Sequence, residues 1–306
     1  MNDDKSSIAQ SVRQRLLNLA RKTGQDYNRL LVRYALERLL YHLSVSEYCD
    51  RFILKGAMLF AIWSPEQQYR TTQDLDLLGI GSSSPESVAD VFRAIARTET
   101  DTADGMVYLP DSVTAGLIRE DMEYEGVRVA MDSTLGTARI ALSIDIGFGD
   151  AISPPAVTGE YPVLLDSPAP TLRMYQRETA IAEKLHAMVE RDVLNSRMKD
   201  FADIWYLAQH FDFDGPTLAD AIAATFSRRD RNVPAKPVAF TSEFAQRDDK
   251  QTQWRAFLRR TAPEGIPADF TEIVAGVAAL LGPITVHLAG HSPLPAIWNA
   301  PGPWVS

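Results

Sequence analysis

The sequence predicts an α+β protein: a mixed sheet with helices, followed by an all-helical half. Three observations carry this expectation. Acidic and apolar residues alternate from Asp74 to Gly79, and short β-like runs fill the interval from about Met106 to Asp150. After a proline-rich stretch, the apolar period then turns helical and stays so. A chain of 306 residues has the length for two domains, expected at 1–165 and 166–306.

Residues 8–45 read as helix. Leu16, Leu17, Leu19 and Ala20 cluster before Gly24, and Leu30, Leu31, Tyr34, Ala35, Leu39 and Leu40 then recur at helical spacing. The run FILKGAMLFAIW (52–63) is apolar almost throughout, which predicts a helix buried on most sides. Asp74–Gly79 reads as a strand with one wet face. Ser84 before Pro85 and Glu86 starts a helix with Val88, Val91, Phe92 and Ile95 on one face. The stretch 127–150 resembles two strands joined around Leu135–Gly136. Pro162, Pro168 and Pro170 mark 162–172 as the connection between domains. Helical periods follow at 174–194, 199–210, 216–226, 252–261 and 269–281. The interval 228–250 reads as a long loop, and a Pro-rich tail begins at Gly282.

Composition excludes several classes. With 45% hydrophobic and 23% charged residues, the chain is neither disordered nor fibrous. The single cysteine, Cys49, excludes a disulfide scaffold or a Cys-rich zinc module and fits a reducing cytoplasm. The start MNDDKSSIAQ lacks a signal-peptide pattern, and no run approaches 18 uninterrupted apolar residues, so no membrane partner is expected. The net charge of −9 argues against binding nucleic acid over the whole surface. Such a partner needs a local basic patch and would bind in a salt-sensitive way.

Asp74 and Asp76 are two residues apart, so on a strand they share a face with Cα atoms about 6–7 Å apart. Paired carboxylates repel unless a cation sits between them or one keeps a proton, and Mg²⁺ binds through such pairs plus substrate phosphates. Asp145 lies between Ile144 and Ile146 in ARIALSIDIGFGD, where an acid must be paired or metal-bound. Three acids from two neighbouring strands suit two-metal phosphoryl transfer. The plain alternative for Asp145 is a pair with a nearby Arg or Lys. Upstream, Lys55–Gly56 approaches the acids, and Arg70, Thr71 and Thr72 precede them. Gly56 lets backbone approach a phosphate that Thr72 and Arg70 can contact.

The order Lys55–Gly56, apolar helix, R-T-T-x-D-L-D-L resembles the first motif of the AbiEii/AbiGii toxin family, a branch of the DNA polymerase β-like nucleotidyltransferases. Many members carry Gly-Gly where this chain has Gly56–Ala57, and Ser where it has Thr72. Ala stays small and Thr keeps the hydroxyl. IDIGFGD resembles the second motif, RETAIAEKLHAMVER the third, with Lys184, and Arg197, Lys199, Asp200 and Asp203 the fourth, R-x-K-D-x-x-D. The four motifs cover about residues 50–210.

That resemblance implies a polymerase β-like nucleotidyltransferase domain and a cytoplasmic, NTP-using, Mg²⁺-dependent enzyme. Asp74, Asp76 and Asp145 become its metal carboxylates. Lys55, Gly56 and Thr72 line the triphosphate site with Arg70 nearby, and Lys184 neutralises phosphate charge. Arg197, Lys199, Asp200 and Asp203 either line the nucleotide site or order Lys184. A surface salt bridge between Lys199 and Asp203, at i, i+4, is the bland account of part of that motif. His186 is a structural histidine on this reading, since successive helical residues diverge by about 100°.

Between Phe226 and Arg260 the charge changes sign. Arg228, Arg229, Arg231, Arg255 and Arg259 offer contacts for RNA, and Phe240, Phe244 and Trp254 either stack on bases or belong to the core. By resemblance, the protein is the toxin of a toxin–antitoxin pair that adds nucleotides to an RNA acceptor, the tRNA 3′ end in some members. It thereby blocks translation and growth, and a cognate antitoxin is its partner. Two rivals stand beside this: a small-molecule nucleotidyltransferase of the aminoglycoside-modifying type, and a non-catalytic nucleotide-binding interaction module.

Overall fold

Two long helices, α1 (Asn2–Thr23) and α2 (Tyr27–Ser44), open the chain. They part at Gly24, whose φ of +71° suits glycine, and Asp26 caps α2 by accepting the Arg29 N–H at 2.9 Å. The computed structural model describes residues 2–65, 72–118, 126–261 and 265–305. It divides into two compact units, 1–149 with 157–174 and 150–156 with 175–306.

In the first unit, β1 (Phe52–Lys55), a 3-10 turn (Gly56–Leu59) and α3 (Phe60–Trp63) follow α2. The single helix expected over 52–63 is therefore a strand plus short helical turns. Phe52, Ile53 and Leu54 are all buried because β1 lies inside the sheet, between β2 (Asp74–Gly79) and a later strand. A strand buried on both faces shows no alternation and mimics a buried helix. Next come α4 (Pro85–Arg97), β3 (Met106–Tyr108), β4 (Thr114–Ile118), β5 (Gly126–Leu135), β6 (Ala138–Phe148), β7 (Val157–Glu160) and β8 (Thr171–Met174). The sheet runs β3-β5-β6-β2-β1-β8-β7, with β4 also paired to β5. It is mixed: β2–β6 and β1–β8 are parallel and the other pairs antiparallel.

The period of two sorts the sheet's faces. Val127, Val129, Met131 and Leu135 on β5 are buried with Ile140, Leu142, Ile144 and Ile146 on β6, while Arg128, Ser143 and Asp145 point the other way. Helices α2 and α4 pack against β6 and β5. The proline-rich stretch 162–172 lies inside this unit. β8, which pairs with both β1 and β7, belongs to this unit as well.

The second unit holds α5 (Arg177–Arg191), α6 (Met198–His210), β9 (Phe213–Asp214), α7 (Gly215–Arg228), α8 (Ser242–Gln246), α9 (Asp248–Thr261) and α10 (Phe270–Leu288), then β10 (Ile297–Trp298) and β11 (Trp304–Val305). It is helical but not all-helical. The Pro-rich tail folds back as β10 and β11 onto β9, and Trp298 and Trp304 donate their indole N–H groups to Ala208 O and Leu280 O. The loop expected over 228–250 contains α8. Among the described residues, α10 alone is long and apolar enough to cross a membrane. Its buried face, Phe270, Ile273, Val277, Leu280, Leu281 and Ile284, packs against α6, α7 and α8 as a core helix does.

Candidate active site

Four charged residues stand at one level of the sheet. Lys55 on β1 is the cross-strand partner of Asp76 on β2, Asp76 of Asp145 on β6, and Asp145 of Arg128 on β5. Residues in register on neighbouring strands share a face and lie about 4.8 Å apart. The row therefore reads base, acid, acid, base. Asp74, exposed, extends it one step along β2, opposite Ser143. Like charges side by side repel, and the row sets a cation at each end against the two central acids.

Arg128 closes on Asp145 as a fork: Nε donates to Oδ1 and Nη2 to Oδ2, each at 2.7 Å. The ion-pair account of Asp145 thus holds in this structure, and the sequence reading missed the arginine. A signal existed. A hairpin closing at Leu135–Ala138 brings the residues seven positions outward on each strand, Arg128 and Asp145, into register.

Gly56 has a stricter role than phosphate approach. Its φ is +75°, and a Cβ there would overlap the Asp76 carboxylate. Thr72 turns its hydroxyl onto the first residue of β2, donating to Asp74 O and accepting from Asp74 N–H, both at 3.2 Å. It steadies the approach to β2. Arg70 lies outside the described residues.

Asp74, Asp76 and Asp145 put three carboxylates on one face of adjacent parallel strands, the oxygen donors that a hard cation such as Mg²⁺ takes. In this structure Asp145 is held by the Arg128 fork. Among the described residues, no group of three or more His, Cys, Asp or Glu is gathered closely enough to hold a metal ion.

The second unit gathers the other motif residues. Lys184 on α5 donates to Asp203 at 2.8 Å and to Asp200 at 3.4 Å, both on α6, and Arg197 Nε donates to Asp200 at 2.6 Å. Asp200 and Asp203 are fully buried. Burial pushes the Asp200 carboxyl up, yet Lys184 and Arg197 outweigh it and hold the group below its ordinary value. Asp203 accepts from Lys184, and Lys199 is exposed. Both acids are turned onto Lys184 and away from solvent.

The basic interval splits. Arg229 is internal: it donates to Asp150 at 2.9 Å and to Nδ1 of His186 at 2.9 Å. Burial, then Arg229 and Arg231, push His186 down to about 4, so it is a neutral core imidazole. Phe244 and Trp254 are buried, packed around Phe270, and offer no stacking surface. Arg228, Arg231, Arg255 and Arg259 stay exposed.

Comparison with known proteins follows the same lines. The model of the AbiEii nucleotidyl transferase toxin family of type IV toxin–antitoxin systems matches residues 38–276. No curated protein sequence matches the chain. Among solved structures, a candidate nucleotidyltransferase of Helicobacter pylori superposes with a TM-score of 0.50 at 13% identity, covering 88% of this chain and 99% of that one. JHP933 of H. pylori gives 0.49 at 12% identity, covering 87% and 96%. MenT4, a nucleotidyltransferase toxin of Mycobacterium tuberculosis H37Rv, gives 0.48 at 16%, covering 93% and 99%. The first similarity shows a shared fold, and the two lower ones add no argument.

Proposed function

Because the chain belongs to the AbiEii nucleotidyl transferase toxin family, we propose that it moves a nucleotide from an NTP to an RNA 3′ end, that of tRNA, with Mg²⁺ held by Asp74, Asp76 and Asp145. The observation that carries this is the register placing Asp76 beside Asp145 on one face, with Asp74 two residues away. A divalent ion bound there supplies charge neutralisation to the triphosphate and acidity to the acceptor hydroxyl. Lys55, beside Asp76, brings a cation to the triphosphate, and Gly56 keeps room for the Asp76 carboxylate. Thr72 holds the backbone of Asp74. Lys184, held by Asp200 and Asp203 with Arg197 behind them, is the lysine proposed to neutralise phosphate charge. The exposed Arg228, Arg231, Arg255 and Arg259 attract the RNA backbone. The family's toxin–antitoxin setting implies an antitoxin partner.

The test is incubation with total RNA and each labelled NTP, with and without Mg²⁺. Label entering tRNA from one NTP, only with Mg²⁺, is the expected result, and Asp74→Ala abolishes it. Label that enters no RNA but enters a small hydroxyl compound such as an aminoglycoside overturns the acceptor.

A further inference from the structure

Arg128 is the member of the charged row to which the reaction above gives no task. Its fork engages both oxygens of Asp145, and a cation brought to that carboxylate meets the guanidinium's own charge. Fork and divalent ion therefore compete for one group. The pair is also easy to exchange. The side chains are 56% exposed for Arg128 and 23% for Asp145, and pairs this open contribute little to stability. Among the described residues, space lies alongside: Arg128 is in register with Gly116 on β4, where a Cβ would meet no described atom within 4 Å. A guanidinium leaving a carboxylate finds its best alternative in phosphate oxygens, which it can grip by the same two-point geometry.

We propose that Arg128 is a latch on Asp145. Without nucleotide its fork occupies the carboxylate; on loading it transfers to the triphosphate and frees Asp145 for the cation. Cation and NTP then favour each other's binding, and the coupling is reciprocal. This rests on the reading of Asp145 as a metal carboxylate.

The experiment measures Mn²⁺ binding to the full-length protein by electron paramagnetic resonance, alone and with each α,β-methylene NTP. Arg128→Gln binds Mn²⁺ about fivefold more tightly than the wild type without nucleotide, the equivalent of about 1 kcal/mol. In this variant the tightening caused by the NTP analogue shrinks. Arg128→Lys keeps the charge, loses the fork and falls between the two. Asp145→Asn weakens Mn²⁺ binding and makes Arg128→Gln silent when the two are combined. If Asp145→Asn binds Mn²⁺ like the wild type, the metal assignment itself fails and the latch with it. If Asp145→Asn weakens binding while Arg128→Gln leaves it unchanged or weaker, the latch alone is overturned.

Discussion

In the sheet, Lys55, Asp76, Asp145 and Arg128 form a row of two acids between two bases, none of them buried. In the helical unit, Lys184, Asp203, Asp200 and Arg197 repeat that charge count, but both carboxylates are fully out of contact with solvent. Solvation separates their uses. Near water an ion pair is weak and its partners can be traded for a ligand; in the interior, breaking one strands an uncompensated charge. The open row suits chemistry, and the closed set suits holding a lysine still.

The contrast is tested most strongly by matched substitutions. Asp203→Ala leaves two cations, Lys184 and Arg197, to the one buried carboxylate of Asp200 and costs about 3–5 kcal/mol in denaturant unfolding. Asp76→Ala abolishes transfer but leaves unfolding within about 1 kcal/mol, since it also removes a like-charge neighbour. Equal destabilisation by the two would erase the distinction.

Next in size is Gly56→Ala. The left-handed backbone costs about 1–2 kcal/mol, and the new methyl displaces Asp76. Activity should fall far more than melting temperature, whereas Gly24→Ala, with no described atom within 4 Å of its Cβ, should lose stability alone.

The units also differ in acid response. Burial pushes Glu37 on α2 up to about 7 against the pull of the Leu164 N–H and Arg38, so its contribution is complete below its ordinary value of 4.5 and is lost as pH rises through 7. His186, pushed down to about 4, contributes fully above 6.5 and loses that contribution as pH falls toward 4. Amide hydrogen exchange should therefore loosen α5 and α7 first at pH 5, and the α2 contacts relatively more at pH 7.5. The same order at both pH values would contradict these assignments.

The smallest effect lies on the surface. Arg255→Ala with Arg259→Ala should leave stability within about 0.5 kcal/mol and weaken RNA binding, lowering its salt slope by about one per arginine. An unchanged salt slope would remove these residues from the RNA contact.

The placement of the acids in the sheet was legible in the chain. Alternation alone put Asp74 and Asp76 on one face of β2 and set Asp145 opposite Ile144 and Ile146. Motif spacing picked out Lys184 and Arg197 to Asp203. The helix expected over 52–63 failed because β1 is apolar on both faces. The stacking role for Phe244 and Trp254 failed because aromatic residues in a basic segment look alike whether they face bases or a core.

Local sequence settles which side of a strand a residue takes, because the pleat repeats every two residues regardless of what lies beside it. It cannot say which residue of another strand stands alongside, nor how much water reaches a charge. Those depend on contacts distant in the chain. The pairing of Asp76 with Asp145, the fork of Arg128 and the burial of Asp200 and Asp203 exist only in the folded protein.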